Sequence, residues 1–70
     1  MDNTGYDAAA NLRAELARRK MTNKELGRLL GENEMWVGRR VNGHVPITVN
    51  ELLRFARALD LPAADLLAAS

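Results

Sequence analysis

The chain has 70 residues, one histidine, no cysteine and a formal net charge of +1. This length allows one small domain, and the lack of cysteine excludes disulfides, thiolate zinc sites and thiol catalysis. No apolar run approaches the roughly 20 residues of a membrane span, and no basic segment followed by an apolar one opens the sequence as a secretory leader would. We therefore expect a cytoplasmic protein that uses no metal and no cofactor.

The small net charge conceals an uneven distribution of charged residues. Residues 13–57 contain all ten basic residues and five glutamates, whereas residues 1–12 and 58–70 each contain two aspartates and no base. A basic cluster on a small domain is typical of a protein that binds a polyanion. Charge alone leaves a second interpretation open, namely an ordinary solvated helical surface.

The first helix follows a polar segment. Residues 1–7 lack hydrophobic periodicity, and we predict a flexible N-terminal tail there. Asp7 suits the N-cap of a helix from about Ala8 to Lys20, in which Leu12 and Leu16 lie one turn apart on the same face.

Two capping boxes predict where the second and fourth helices begin. In residues 22–25 (TNKE) and 48–51 (TVNE), a threonine hydroxyl can accept from the third following amide while the glutamate accepts from the threonine amide. The second helix then covers about 23–30 and ends at Gly31, a natural left-handed C-terminal residue. The fourth covers about 49–59 and carries four apolar residues on one face: Leu52, Phe55, Ala56 and Leu59.

Two shorter helices complete the predicted fold. Asn33 can cap a third helix over about 34–42, and Pro62 suits the first position of a fifth helix over about 62–69. Residues 8–70 are therefore predicted to form a single all-α domain, a compact five-helix bundle. The predicted core consists of Leu26, Leu30, Val37, Leu52, Ala56 and Leu59.

The second and third helices are predicted to form a helix-turn-helix. Two short helices joined by a tight turn with glycine are typical of that motif. Gly31 permits the turn, and Gly27 allows the two helices to approach closely. The opposite face of the third helix is then free for the major groove of DNA: Glu34, Met35, Gly38, Arg39 and Asn42.

Short motifs along nearly the whole chain carry a family resemblance. They are Met21-Thr22 before Lys24-Glu25-Leu26, then Gly31, Val37-Gly38, Asn42-Gly43, Pro46, Glu51-Leu52, Phe55-Ala56, Ala58-Leu59 and Leu61. In this order and spacing, the chain resembles the lambda-repressor/Cro-like helix-turn-helix DNA-binding family. Residues 36–43 with Pro46-Ile47-Thr48 are similar to versions found in actinobacterial and actinophage regulators.

The resemblance implies a lambda-repressor-like fold and a defined activity. It implies a sequence-specific double-stranded DNA-binding transcriptional regulator, a repressor of bacterial or phage origin, whose third helix reads the major groove. Four positions depart from the family pattern: Asn23, Gly27, Glu32 and Arg40. The tail lacks the basic arm that some relatives wrap around DNA.

Five residues are candidates for reading bases. Arg39 can bind guanine O6 and N7 together, or else hold a phosphate. Glu34 can accept from cytosine N4, or else complement the positive end of its helix. Met35 can touch a thymine methyl group, or else remain a flexible surface residue. Gly38 lies on the same face, and His44 either reaches DNA or is a solvated loop residue.

Four other residues are candidates for contacts with the DNA backbone. Amide and hydroxyl groups at helix ends commonly bind phosphate, which selects Asn23, Asn33, Asn42 and Thr48. The capping box alone also explains Thr48.

Trp36 and the basic end of the first helix each allow two interpretations. Trp36 is four residues before Arg40, a spacing that favours a cation–π stack or partial burial. Residues 18–20 (RRK) suit the negative end of a helix or a DNA contact.

The predicted partners are double-stranded DNA and a second copy of the chain. Such domains usually bind as dimers, because one short helix reads few bases. The predicted dimer surface is the fifth helix with the preceding turn: Leu61, Ala63, Ala64, Leu67 and Ala68. The alternative function is a helical protein–protein interaction module without DNA binding, which the low net charge and Glu34 favour. An enzyme is not expected, because no histidine accompanies a nucleophile and no metal-ligand spacing occurs.

Overall fold

The computed structural model describes residues 8–67, and every regular element in that range is a helix. The helices, in chain order, are α1 (Ala8–Arg19), α2 (Asn23–Leu30), α3 (Glu34–Val41), α4 (Val49–Ala58) and α5 (Ala63–Leu67). The all-α, five-helix prediction is confirmed. Asp7, the predicted tail and Ala68 lie outside the described residues.

Both predicted capping boxes are present. The Thr22 hydroxyl accepts from the Glu25 amide at 3.0 Å, and the Thr22 amide donates to the Glu25 carboxylate at 2.8 Å. The corresponding two hydrogen bonds between Thr48 and Glu51 are both 3.1 Å long. Each box satisfies two amides that the first turn of a helix leaves unpaired, and so fixes where α2 and α4 begin.

The ends of α1 and α4 differ slightly from the predicted ones. Lys20 and Asp60 adopt left-handed backbone conformations, with φ of 54° and 58°, and a residue in that region stops a right-handed helix. The first helix therefore ends one residue before Lys20, and Leu59 follows α4 as its cap.

The bounds of α3 and α5 also need small corrections. Asn42 is the C-cap of α3 rather than its last residue, because the chain turns at Gly43, whose φ is 79°. Pro62 precedes α5, and its carbonyl accepts from the Asp65 amide at 3.0 Å. Pro62 therefore lies just before the helix and supplies the carbonyl that accepts a hydrogen bond from its first turn, instead of being the first helical residue.

The core forms where the apolar faces of all five helices meet. Five of the six predicted core residues are buried, but Leu30 is half-buried, because it lies in the last turn of α2 where the chain leaves the core. The buried hydrophobic residues of the described range are Leu12, Leu16, Leu26, Val37, Val41, Leu52, Phe55, Ala56, Leu59 and Leu66.

The way the helices pack on one another leaves one side of α3 uncovered. Helix α3 packs most closely on α2 and also on α1, while α4 packs on α2 and α5. Polar contacts tie α1 to other described residues: Asn11 donates to the Leu66 carbonyl at 2.8 Å, and Arg13 donates to the Val41 carbonyl at 2.6 Å. Within residues 8–67, no helix has the length and apolar character that crossing a membrane requires.

Candidate nucleic-acid interface

The turn between α2 and α3 depends on two glycines, as predicted. A Cβ at Gly27 would lie 2.6 Å from the carbonyl oxygen of Glu32, so a larger residue would collide with the backbone of the turn. Gly31 has a φ of 76°, and its amide donates to the Gly27 carbonyl. These two residues set the close approach of α2 to the start of α3.

The outer face of α3 carries an exposed pair of side chains. Met35 is 63% exposed, and Arg39, one turn further along, is exposed as well. The Arg39 Nη2 donates to the Met35 sulfur at 3.3 Å, so the two side chains lie side by side. Glu34 is exposed in the first turn of the same helix.

The start of α2 lies beside the middle of α3. A Cβ at Gly38 would lie 3.5 Å from Nδ2, the side-chain amide nitrogen of Asn23, which is an ordinary van der Waals contact. Asn23 therefore borders the outer face of α3. Asn33 caps α3, because its Oδ1 accepts from the Trp36 amide at 2.7 Å. That bond leaves the amide NH₂ group of Asn33 as a donor.

The segment after α3 turns back on the helix end. The Arg39 carbonyl accepts from the amides of His44 and Val45, at 2.8 and 3.1 Å. His44 and Asn42 are both exposed there. The structure thus holds His44 near the end of α3 through the backbone. Thr48 begins α4 at the far end of this segment.

Two arginines flank Trp36 on the inner side of α3. The guanidinium carbon of Arg40 lies 3.9 Å from the Trp36 ring centroid, and that of Arg54 lies 5.4 Å away. Trp36 is half-buried and meets the Phe55 ring at a centroid distance of 5.9 Å. Both interpretations of Trp36, cation–π stacking and partial burial, are therefore correct.

Each of these arginines also pairs with a carboxylate. Arg40 binds both oxygens of Glu51, at 3.0 and 3.1 Å, and this pairing is the main cause that lowers the pKa of Glu51. Arg54 donates to the Leu30 carbonyl at 2.9 Å and to Glu32 at 3.1 Å. The sequence does not predict either pair, because their members are 11 and 22 residues apart and follow no helical spacing.

The basic end of α1 is partly neutralised within the chain. Arg19 and Arg18 both donate to Glu15, and these hydrogen bonds lower the pKa of that carboxyl. Both arginines thus have a structural partner that does not require DNA. Among residues 8–67, no group of histidine, aspartate and glutamate is arranged to hold a metal ion.

The fold and this surface define a helix-turn-helix protein, with a capped, exposed α3 held against α2 by a glycine turn. Residues 11–70 match the family model described as the Cro/C1-type HTH DNA-binding domain. The chain belongs to this family, which confirms the predicted family and shows that residues 11–70 form a DNA-binding domain.

Two solved structures share the fold. The restriction–modification controller protein C.AhdI from Aeromonas hydrophila is 23% identical, with a TM-score of 0.78 over 86% of this chain and 91% of that chain. The hypothetical transcription factor NHTF from Neisseria is 24% identical, with a TM-score of 0.80 over 89% of this chain and 71% of that chain. No curated protein sequence matches significantly.

Proposed function

We propose that the chain is a sequence-specific repressor that inserts α3 into the major groove of double-stranded DNA. The observation that carries this proposal is the outer face of α3, where Met35 and Arg39 are exposed, adjacent and one turn apart. A helix with two neighbouring side chains of this kind fits the width of the major groove. The protein would act in a bacterial cytosol, including that of a phage-infected cell, without a cofactor.

The base-reading roles follow from the chemistry of each exposed group. The Arg39 guanidinium has five N–H donors, and one of them points at Met35. The others are available for guanine O6 and N7. Met35 offers an apolar surface to a thymine methyl group, and Glu34 offers an acceptor to cytosine N4. Gly38 lets the groove edge approach the helix, and His44 reaches a flanking position.

The proposed backbone contacts surround this face. Asn23 borders Gly38 at the start of α2, and Asn33 keeps a free NH₂ group at the start of α3. Asn42 is exposed at the end of α3. The Thr48 hydroxyl accepts from the Glu51 amide, and its hydrogen remains available to a phosphate oxygen.

The proposed assembly on DNA is a homodimer formed through α5. Leu67 is 40% exposed and Ala64 is exposed, which supports an interface there. Leu61 and Ala63 are partly buried against the core, so they offer less apolar surface to a partner than the sequence predicted. Leu53 of α4 lines the same surface depression and is 45% exposed, so it adds apolar surface next to them.

Selection of bound duplexes from a random pool tests the proposal directly. We expect an inverted repeat with half-site centres about one helical turn, roughly 34 Å, apart. The affinity for random duplex should be weaker and should fall steeply with salt. A chain that enriches no sequence and shows no salt-dependent binding would instead be a protein–protein interaction module. A single asymmetric site bound by one copy would refute the homodimer alone.

A further inference from the structure

Arg40 and Glu51 form a bridge between α3 and α4, which we call the α3–α4 clamp. Both guanidinium-to-carboxylate hydrogen bonds are made, and the two side chains are 13% and 17% exposed. The remaining Arg40 Nη1 donates to the Trp36 carbonyl at 3.2 Å, while the guanidinium stacks on the Trp36 ring. Arg40 is thus oriented by its own helix before it reaches α4.

The clamp occupies a place where the backbone packing is sparse. Helix α3 packs closely against α2 and α1, whereas α3 and α4 make few close backbone contacts. Side chains therefore define the distance between α3 and the start of α4. A bidentate arginine–carboxylate pair fixes both distance and orientation, because its two hydrogen bonds are parallel.

Glu51 connects the clamp to the proposed phosphate contact. One of its oxygens, Oε1, accepts from Arg40 at 3.0 Å and from the Thr48 amide at 3.1 Å. Thr48 is the N-cap of α4, at the positive end of that helix. A single carboxylate oxygen therefore joins the end of the reading helix to a group that would bind phosphate.

We propose that Arg40 and Glu51 are positioning residues that hold the base-reading face of α3 in register with the backbone-binding start of α4. This inference rests on the proposed function, because it requires α3 to read bases. Neither residue touches DNA in this scheme. Three of the five N–H donors of Arg40 are bound within the chain, to Glu51 and to the Trp36 carbonyl, so we assign Arg40 no phosphate contact.

The substitution Glu51→Gln separates positioning from simple charge effects. It removes a negative charge and releases a positive one, so electrostatics alone predicts tighter binding to every duplex. Loss of register predicts the opposite for the preferred site, with roughly a tenfold weakening, the size of one mismatched base pair. Affinity for random duplex should stay the same or rise.

Glu25→Gln is the matched control. Glu25 holds the same position in the other capping box, accepts from Thr22 in the same way and makes no ion pair with an arginine in residues 8–67. Its replacement should therefore change the two affinities by the same factor. When Arg40→Gln is added to a protein that already carries Glu51→Gln, the affinities for the preferred site and for random duplex should fall by the same factor. The Arg40–Glu51 pair is already broken in that protein.

The experiment measures the affinities of all variants for the selected site and for random duplex, at a temperature where circular dichroism and Trp36 fluorescence show folded protein. If Glu51→Gln raises the affinities for the selected site and for random duplex by the same factor, the positioning role is refuted while sequence-specific binding stands. If the unmodified chain prefers no duplex, the proposed function fails, and the positioning role fails with it.

Discussion

On the inner side of the helix-turn-helix, Leu26, Gly27 and Val37 are buried against other parts of the chain. On its outer side, Met35 and Arg39 contact each other and otherwise face solvent. The inner residues are specified by their neighbours, since little free volume surrounds them. The outer residues are not specified by packing, so their identities are free to serve the proposed contact with DNA.

The largest expected difference between the two sides concerns a pair of leucines on α2. Leu26 is fully buried, whereas Leu29 is 58% exposed. Leu26→Ala should lower the free energy of unfolding by about 2–5 kcal/mol, because it leaves a cavity in the core. Leu29→Ala should change it by less than about 0.5 kcal/mol. Urea unfolding followed by Trp36 fluorescence measures both, and equal decreases would contradict the assigned orientation of α2.

The outer side should show its effect in binding instead of stability. Arg39→Ala should weaken binding to the selected site by about 1–3 kcal/mol and relax the preference at one base pair, because alanine cannot make the bidentate hydrogen bonds to guanine. Its effect on random duplex and on thermal unfolding should be small. Titrations on both duplexes at two salt concentrations measure these quantities.

Arg18 provides the comparison for Arg39. Its side chain is 67% exposed and bound to Glu15 at the end of α1. Arg18→Ala should weaken all duplexes alike, if it acts at all, and lower the salt slope by about one unit for each phosphate that the arginine neutralises. If Arg39→Ala behaves in the same way, Arg39 binds phosphate and α3 is rotated relative to the proposed pose.

Two glycines give the next smaller contrast. Gly27→Ala should destabilise the protein, since the new methyl group meets the Glu32 carbonyl at 2.6 Å and overpacking costs about 1–3 kcal/mol. At Gly38 the nearest atom is 3.5 Å away, so Gly38→Ala should stabilise α3 by up to about 1 kcal/mol through helix propensity. Thermal melting of the two variants should shift in opposite directions, and a shared direction would refute this distinction.

The same contrast explains what the sequence could predict. The capping boxes, the turn glycines and the apolar faces are local patterns, so the positions of α2, α4 and most of the core follow from residues within a few places of one another. The left-handed backbone of Lys20 and Asp60 could not be predicted, because neither residue type requires that conformation. The Arg40–Glu51 and Arg54–Glu32 pairs could not be predicted, because their members are 11 and 22 residues apart and are brought together only by the packing of the helices.

The smallest predicted effect concerns the carboxyl group of Glu51 and appears at acid pH. Arg40 holds the pKa of Glu51 below its ordinary value of 4.5, so the folded state binds this proton less readily than the unfolded state. The stability that the ionised pair supplies is therefore complete well above pH 4.5 and disappears as the pH falls through the lowered pKa. Glu51→Gln should remove part of the acid sensitivity of unfolding, by less than about 1 kcal/mol. Urea midpoints between about pH 3 and 7 measure this effect, and an unchanged pH slope in Glu51→Gln would show that ionisation of Glu51 adds nothing to stability.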